Sequence, residues 1–575
     1  MIGIGRWGAA KAHLPSTPAP RTGGSVDALA DVRADAPRVK PVRTRTGLAS
    51  CLAILLTSAA VFAATPAAVA ETLRWARASD ATTLDPHAGN TTANHSLFHQ
   101  IYEPLLTRER DGSLQPALAT AWQMQADPTV WHFTIREGVR FHDGQLLSAD
   151  DVVFSLERAR AASSDMKSWL ATVAEISKLD AHTVVVRTHR VNPILPSYLV
   201  HIHILNAAWA RANHALLPQA PGQASSPFAE THENGTGPYR VVSREPDRRT
   251  VLTRFDAYWG RDRFPLGVSD IIWLPISNAA TRTSALMAGE IDFLQDVPVQ
   301  DVSRLEQQPD IRVTRGAENR TVFFGFNVGD KTLRRGDGLS ANPLADLRVR
   351  QAFNLAIDRA SIVRVVMRGM GQPTGLVVPP SVNGYSDALD LVPPPDPAVA
   401  RTLLAEAGYP AGFQLVMNCP NDRYLNDEAI CVAVSGMLAR IGVNVTLESR
   451  PSAVHFAKVL KRETDFWLYG WSVPTLDSAY MLDALFHSSG KAYGAANLTG
   501  YADPAMDARI ESLSTADLRY RNAMLHNIWT RANQELVYLP MHTQVLHYAT
   551  RARFDIPIDP FDIPFIKQVP PPRVP

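Results

Sequence analysis

Cysteine is almost absent: the 575-residue chain has three, and only Cys419 and Cys431 lie beyond Cys51. An excess of charge is missing too. With 57 Lys and Arg against 56 Asp and Glu the net charge is +1, and no basic run could track a phosphate backbone, which removes nucleic acid as a partner. After Ala64 no apolar span approaches the roughly 20 residues a membrane helix needs. There is no G-x-S-x-G elbow, no H-E-x-x-H helix and no P-loop, so the common hydrolase and metalloprotease signatures are excluded and any ATP must be used by a partner. A Ser-His-Asp set drawn from distant positions would leave no such signature. The expectation is a protein that is not an enzyme and holds no cofactor.

What is present is an ordinary globular composition, 46% hydrophobic and 20% charged. A chain of this length exceeds what one core usually supports, so two or more lobes are expected. Lys40, Arg43 and Arg45 precede an apolar run, Leu48 to Ala64, and small residues ending Ala68-Val69-Ala70. That is the form of a cleavable signal peptide, residues 39–70, which predicts a mature chain from Glu71 and a periplasmic location. Leu48-Ala49-Ser50-Cys51 resembles a lipoprotein box but stands before the apolar region instead of after it. Residues 1–38, rich in Pro, Ala, Gly and charge, read as disordered or as a start assigned too early. Export makes a disulfide between Cys419 and Cys431, twelve positions apart, the expected use of the two remaining thiols, with two buried free thiols as the alternative.

Along the mature chain, Leu73 to Ala78 reads as a strand, and the polar loop LDPHAGNTTANH leads into a helix, SLFHQIYEPLL. Loops before helix N-termini offer unpaired N–H groups, which makes Asn90, Thr91 and Thr92 a candidate ligand edge. From about 110 to 228 short strands and helices alternate, among them Trp131 to Ile135, Thr183 to Arg187 and a helix capped by Ser148, so this block is expected to be an inserted subdomain. His201 and His203 would share one strand face, the geometry of a metal pair, but no nearby carboxylate or third His completes a site. His87, His95 and His99 lie near the same edge without a chelate spacing, and no metal ligand is assigned. Beyond the dense strand TVFFGFNV, helices alternating with short apolar strands predict an α/β lobe with a largely parallel sheet. In such sheets ligands sit beyond the carboxyl ends of strands, which points to the loop of Arg423 and Tyr424 and to the loop of Asp477.

The stretch FWLYGWSVPTLDSAY, Phe466 to Tyr480, carries the functional expectation. Tyr469 and Trp471 can stack on almost any apolar body, whereas Asp477 can fix only a group that brings positive charge. Arg423 is the matching candidate for a carboxylate, and Tyr424 stands beside it.

The segment PLADLRVRQAFNLAIDRASIVRVVMRGMG resembles the signature of the periplasmic solute-binding proteins of the dipeptide and oligopeptide class, extracellular solute-binding protein family five. IYEPLL, LQPALATAW, WHFTIREGVRFHDGQLLSADDVVFSLER, NGTGPYRVV, ALMAGEIDFL and ARTLLAEAGYP follow the family's order around it. The resemblance implies two α/β lobes joined by two hinge segments, with an extra subdomain in lobe one. It gives residues 71–322 to lobe one, 323–544 to lobe two and 545–575 to a return into lobe one. It further implies a monomer that traps a peptide by hinge closure and docks on an ABC permease with its ATPase. A glutathione-like compound, an opine or a metal chelate is the alternative cargo. In peptide-binding members an aspartate after a Gly-Trp pairs with the peptide ammonium, and Gly470-Trp471 followed by Asp477 stands at that place.

Overall fold

Two long strands tie the molecule together. In the computed structural model, which describes residues 71–109, 111–219, 228–335, 339–490, 493–515 and 517–571, Ile311–Phe326 runs for 16 residues and Tyr538–Arg551 for 14. Both are rich in the aromatic and β-branched residues that fit a pleated surface. They pair antiparallel from Ile311 opposite Arg551 to Gly325 opposite Tyr538, with register shifts between Ala317 and Thr321 and between Val322 and Phe323. The expected signal peptide, the box at Cys51 and residues 1–38 lie outside the described residues.

The sheet extends from this pair in both directions. On one side the order is Phe466–Ser472, Phe413–Pro420, Val443–Arg450; on the other it is Phe293–Leu294, Thr72–Arg77, Asp270–Pro275, Arg249–Arg254, Tyr239–Glu245. Phe413–Pro420 is parallel to both of its neighbours, and helix Asp427–Ala439 makes the crossover to Val443–Arg450. The expected parallel sheet is thus three strands wide. It ends where Phe466–Ser472 meets Ile311–Phe326 antiparallel, because the long strands pass between halves of the molecule instead of belonging to a local βαβ unit.

Each half has its own core. Phe324 and Phe326, stacked on Phe466, with Phe353 edge-on to Phe326 and Phe466, centre one, and Trp75, Trp273 and Phe293 centre the other, all fully buried. A burial of this kind is worth about 1.5–3 kcal/mol per large side chain. A separate antiparallel sheet, Ala119–Met124, Val130–Ile135, Thr183–Thr188, Val173–Lys178, packs against helix Ala149–Ala159 around Phe133, Leu156 and Val184. That helix opens with a capping box, in which the Ser148 side chain accepts from Asp151 N–H and the Asp151 carboxylate accepts from Ser148 N–H.

Two local readings change. The helix expected over 96–106 runs instead from Thr92 to Ile101, since Thr91 caps it and Pro104 pushes the residue before it out of helical geometry. His201 and His203 do not share a strand. Pro196, in the first turn of helix Leu195–Tyr198, seeds helical backbone that continues as the 3-10 turn Leu199–His201, and His203 makes only an isolated bridge to Pro104.

Candidate ligand-binding site

The strand Phe466–Ser472 lies in register with the long strand, Trp471 opposite Thr321 and Tyr469 opposite Phe323. Two residues apart, Tyr469 and Trp471 point to the same face, and their rings stack with centroids 5.9 Å apart. Tyr480 continues the wall 6.0 Å from Trp471. Between them Gly470 is required by close approach: a Cβ there would lie 2.6 Å from the Tyr424 ring, whose hydroxyl donates to the Gly470 carbonyl at 3.4 Å. This wall bounds a cavity of about 910 Å³, completed by Trp169, Phe456 and Phe561.

Arg423 enters the cavity from the loop after Phe413–Pro420. Asp427 shapes that loop by accepting from the N–H groups of Arg423 and Tyr424, both at 3.0 Å, and the Cys419–Cys431 disulfide joins its strand to the next helix. No carboxylate among the described residues pairs with the Arg423 guanidinium. The positive Arg320 beside it, then burial, pull Arg423 below its ordinary pKa. Arg320 differs: burial opposes its charge, but Glu318 at 2.6 Å outweighs this and raises its pKa. Arg77, also on the wall, is held between Asp296 at 3.3 Å and Asp562 at 3.1 Å. Burial pushes the Asp562 carboxyl up to about 7 despite that guanidinium. Asp422 lines the rim beside Arg423, and its carboxylate accepts from Ser452 N–H at 2.7 Å.

Asn90, Thr91 and Thr92 line the same cavity. Thr91 caps its helix, accepting from Asn94 N–H at 3.2 Å, and Asn90 Oδ1 contacts His95 Nε2 at 3.0 Å. Tyr469, Trp471, Arg423, Tyr424, Asn90, Thr91 and Thr92 therefore converge. Asp477 does not join them. Its buried carboxylate accepts from both Arg521 Nη groups, from Asn383 and from Ala479 N–H, so its charge is already neutralised inside the protein. The expected ammonium anchor is a capping and core-pairing residue. Arg77, Arg320 and Tyr480 were not singled out from sequence, although Arg320 is the strand neighbour of Ser472.

Residues 113–493 match the bacterial extracellular solute-binding proteins, family 5. The chain belongs to this family. It is 25% identical over 496 residues to the glutathione-binding protein GsiB of Salmonella typhimurium, spanning 85% of this chain and 92% of that one. The fold is shared with the AgaA binding protein in complex with agropinic acid from A. tumefacien (TM-score 0.71, 23% identity, 86% of this chain and 97% of that one). It is shared as well with the ABC transporter-associated periplasmic binding protein DppA of Helicobacter pylori in complex with the peptide STSA (TM-score 0.71, 22% identity, 87% and 98%). This chain is accordingly a two-lobed α/β protein of a family whose members bind solutes. Among the described residues no helix is long and apolar enough to cross a membrane.

The solute-binding protein also brings together the two histidine groups that looked unrelated in sequence. His95 and His99, one turn apart on helix Thr92–Ile101, meet His201, and one ring nitrogen from each lies within 4.8 Å of the others. The third histidine missing beside His201 and His203 is supplied by a helix about a hundred residues earlier. Burial lowers His95 to about 4 and holds His99 and His201 well below the usual histidine value, so all three rings are neutral at pH 7.

Proposed function

We propose that this protein is a periplasmic receptor that captures a small peptide or peptide-like solute bearing a carboxylate and delivers it to an ABC permease. The carrying observation is Arg423, a guanidinium without a carboxylate partner among the described residues, facing an aromatic-walled cavity of about 910 Å³. A volume near the upper end of the ~300–1,000 Å³ typical of small-molecule sites suits a short peptide or a conjugate of similar size. A carboxylate can take two parallel hydrogen bonds from that guanidinium, while Tyr469, Trp471 and Tyr480 pack the apolar part of any side chain. Asp422, which lines the rim without an ion-pair partner among the described residues, offers a carboxylate for an ammonium. Kinship to a glutathione-binding protein supports a peptide-like ligand with carboxylates. An opine brings the same carboxylate and is the second reading, supported by the fold shared with an agropinic-acid complex.

Ligand contacts from the Arg423 side and the Asn90 side exist together only when the two halves approach, so binding favours closure. The bend falls in our reading at residues 320–327 and 541–548, where the long strands carry a register shift. The signal at residues 39–70 would deliver the chain to the periplasm.

The test is mass spectrometry of what the exported protein releases on denaturation, followed by titration of the released compound into wild-type protein and Arg423→Ala. We expect a compound with at least one carboxylate and an affinity lowered on the order of a hundredfold in the variant. A released solute lacking any anionic group, or one bound equally well by both proteins, would sink the assignment.

A further inference from the structure

Behind the part of the cavity lined by His95 and His201, four histidines cluster. His95 is 6% exposed, His99 6%, His201 7% and His203 0%. Six of the eight ring nitrogens in this group have no hydrogen-bond partner: His95 Nδ1, His99 Nε2 and both nitrogens of His201 and His203. A buried donor or acceptor left unpaired costs roughly 1–3 kcal/mol, and native proteins leave few of them. Four such rings crowded together are therefore an arrangement that needs a partner.

We propose that His95, His99 and His201 form a binding site for a borderline divalent transition-metal ion, with His203 behind them. The nitrogens of His95, His99 and His201 lie within 4.8 Å of one another, against the roughly 3.4 Å separation of imidazole nitrogens bound to one such ion at 2.0–2.1 Å. Closing that gap takes small ring rotations. His95 is already oriented by Asn90 Oδ1 on its other nitrogen, the arrangement that fixes the donor atom of a metal-bound imidazole. The donor set is all imidazole, without thiolate or carboxylate, which selects Ni²⁺, Cu²⁺ or Zn²⁺ over Mg²⁺ or Ca²⁺. Trp169 stacks on His95 at 5.9 Å, Phe561 meets His201 at 5.7 Å and Phe565 meets His99 at 5.1 Å, so three apolar rings hold the imidazoles in place.

The nearby charges do not forbid a dication. Lys567 acts on His99, but it is paired with Glu103 at 3.3 Å; Arg108 acts on His201 while its own guanidinium donates to the backbone carbonyls of Gly112 and Thr475. His95 and His201 also line the solute cavity, so an ion held there keeps an open coordination position toward it. The site does not depend on which solute the cavity takes.

Exported protein without a histidine tag, stripped with a chelator and dialysed against Ni²⁺, Cu²⁺ or Zn²⁺ alone, should take up one equivalent of ion, with no uptake of Mg²⁺. His99→Gln and His201→Gln should each lower that affinity a hundredfold or more, whereas His455→Gln, outside the cluster with its Nε2 on the Leu468 carbonyl, should not change it. Cu²⁺-loaded protein should show an electron paramagnetic resonance signal split by imidazole nitrogens. Added Ni²⁺ should raise the Tm of wild-type protein only. If His99→Gln does not fold, His95→Gln at the cavity edge serves in its place. Absence of stoichiometric uptake, or uptake equal in wild type and cluster variants, overturns the proposal.

Discussion

Arg521 and Asp477 form a two-pronged ion pair within the protein, their side chains only 2% and 6% exposed, with Arg521 Nη1 donating to Asp477 Oδ2 at 2.7 Å. Asp477 also caps helix Ser478–Met481, and Asn383 donates to it at 2.9 Å. Removing this carboxylate leaves a buried guanidinium uncompensated, which costs about 3–5 kcal/mol. Asp477→Asn is therefore expected to lower the urea midpoint strongly while the folded fraction keeps its ligand affinity. Loss of binding with unaltered stability would return Asp477 to the role of a ligand anchor. Arg521→Met paired with Asp477→Leu should recover part of the stability, since an apolar pair of similar volume needs no neutralisation.

Gly470 tests the wall. An alanine Cβ there would meet the Tyr424 ring at 2.6 Å, and Tyr424 is itself packed against the core of the second half. Gly470→Ala is expected to push Tyr424 into the cavity, costing about 1–3 kcal/mol of stability and roughly tenfold in affinity. In a Tyr424→Ala background the same change should be nearly neutral. A double-mutant cycle by calorimetry and urea unfolding reads the coupling directly, and additive effects would mean the ring is not what Gly470 makes room for.

Most of the wall was legible because its logic is local. Tyr469 and Trp471 alternate along one strand, and Arg423 follows a strand end, so period and position suffice. Asp477 was misplaced because its partner lies 44 residues away on helix Leu518–Glu535, where no local pattern signals a pairing. The histidines escaped for the same reason: each pair looks incomplete until Pro104 and His203 bridge the two segments. Likewise the parallel strands are legible within one lobe, whereas the antiparallel border is not. The pairing of Ile311–Phe326 with Tyr538–Arg551 is a contact between distant segments, invisible to a scan of neighbours.

The disulfide Cys419–Cys431 spans the loop that presents Arg423, with Cα atoms 6.5 Å apart. Closing a loop of this size contributes about 2–3 kcal/mol, chiefly by restricting the unfolded chain. The double variant Cys419→Ser, Cys431→Ser should lose that amount in urea unfolding. Because Asp427 still holds the Arg423 and Tyr424 amides, affinity should fall by less than tenfold. Alkylation of the denatured, unreduced protein should find neither Cys419 nor Cys431 free; two reactive thiols would contradict the bond.

Glu448 sets a stability that depends on pH. It lies on the strand Val443–Arg450, where its carboxylate accepts from Lys458 at 2.8 Å, from Arg335 and from Asn418 at 2.9 Å. The Lys458 and then the Arg335 hydrogen bonds lower its pKa from 4.5 to about 2. A carboxylate depressed in the folded state adds stability that is complete above the unfolded value and is lost as pH falls through the folded one. The window is therefore from about 4.5 down to about 2. Since Arg335 is half exposed, the contribution at neutral pH is about 1–2 kcal/mol and weakens with salt. Urea unfolding of wild type and Glu448→Gln should show this gap at pH 7, a smaller one at pH 3.5 and almost none near pH 2. A gap that stays constant over that range would show that the glutamate acts through packing and not through its charge.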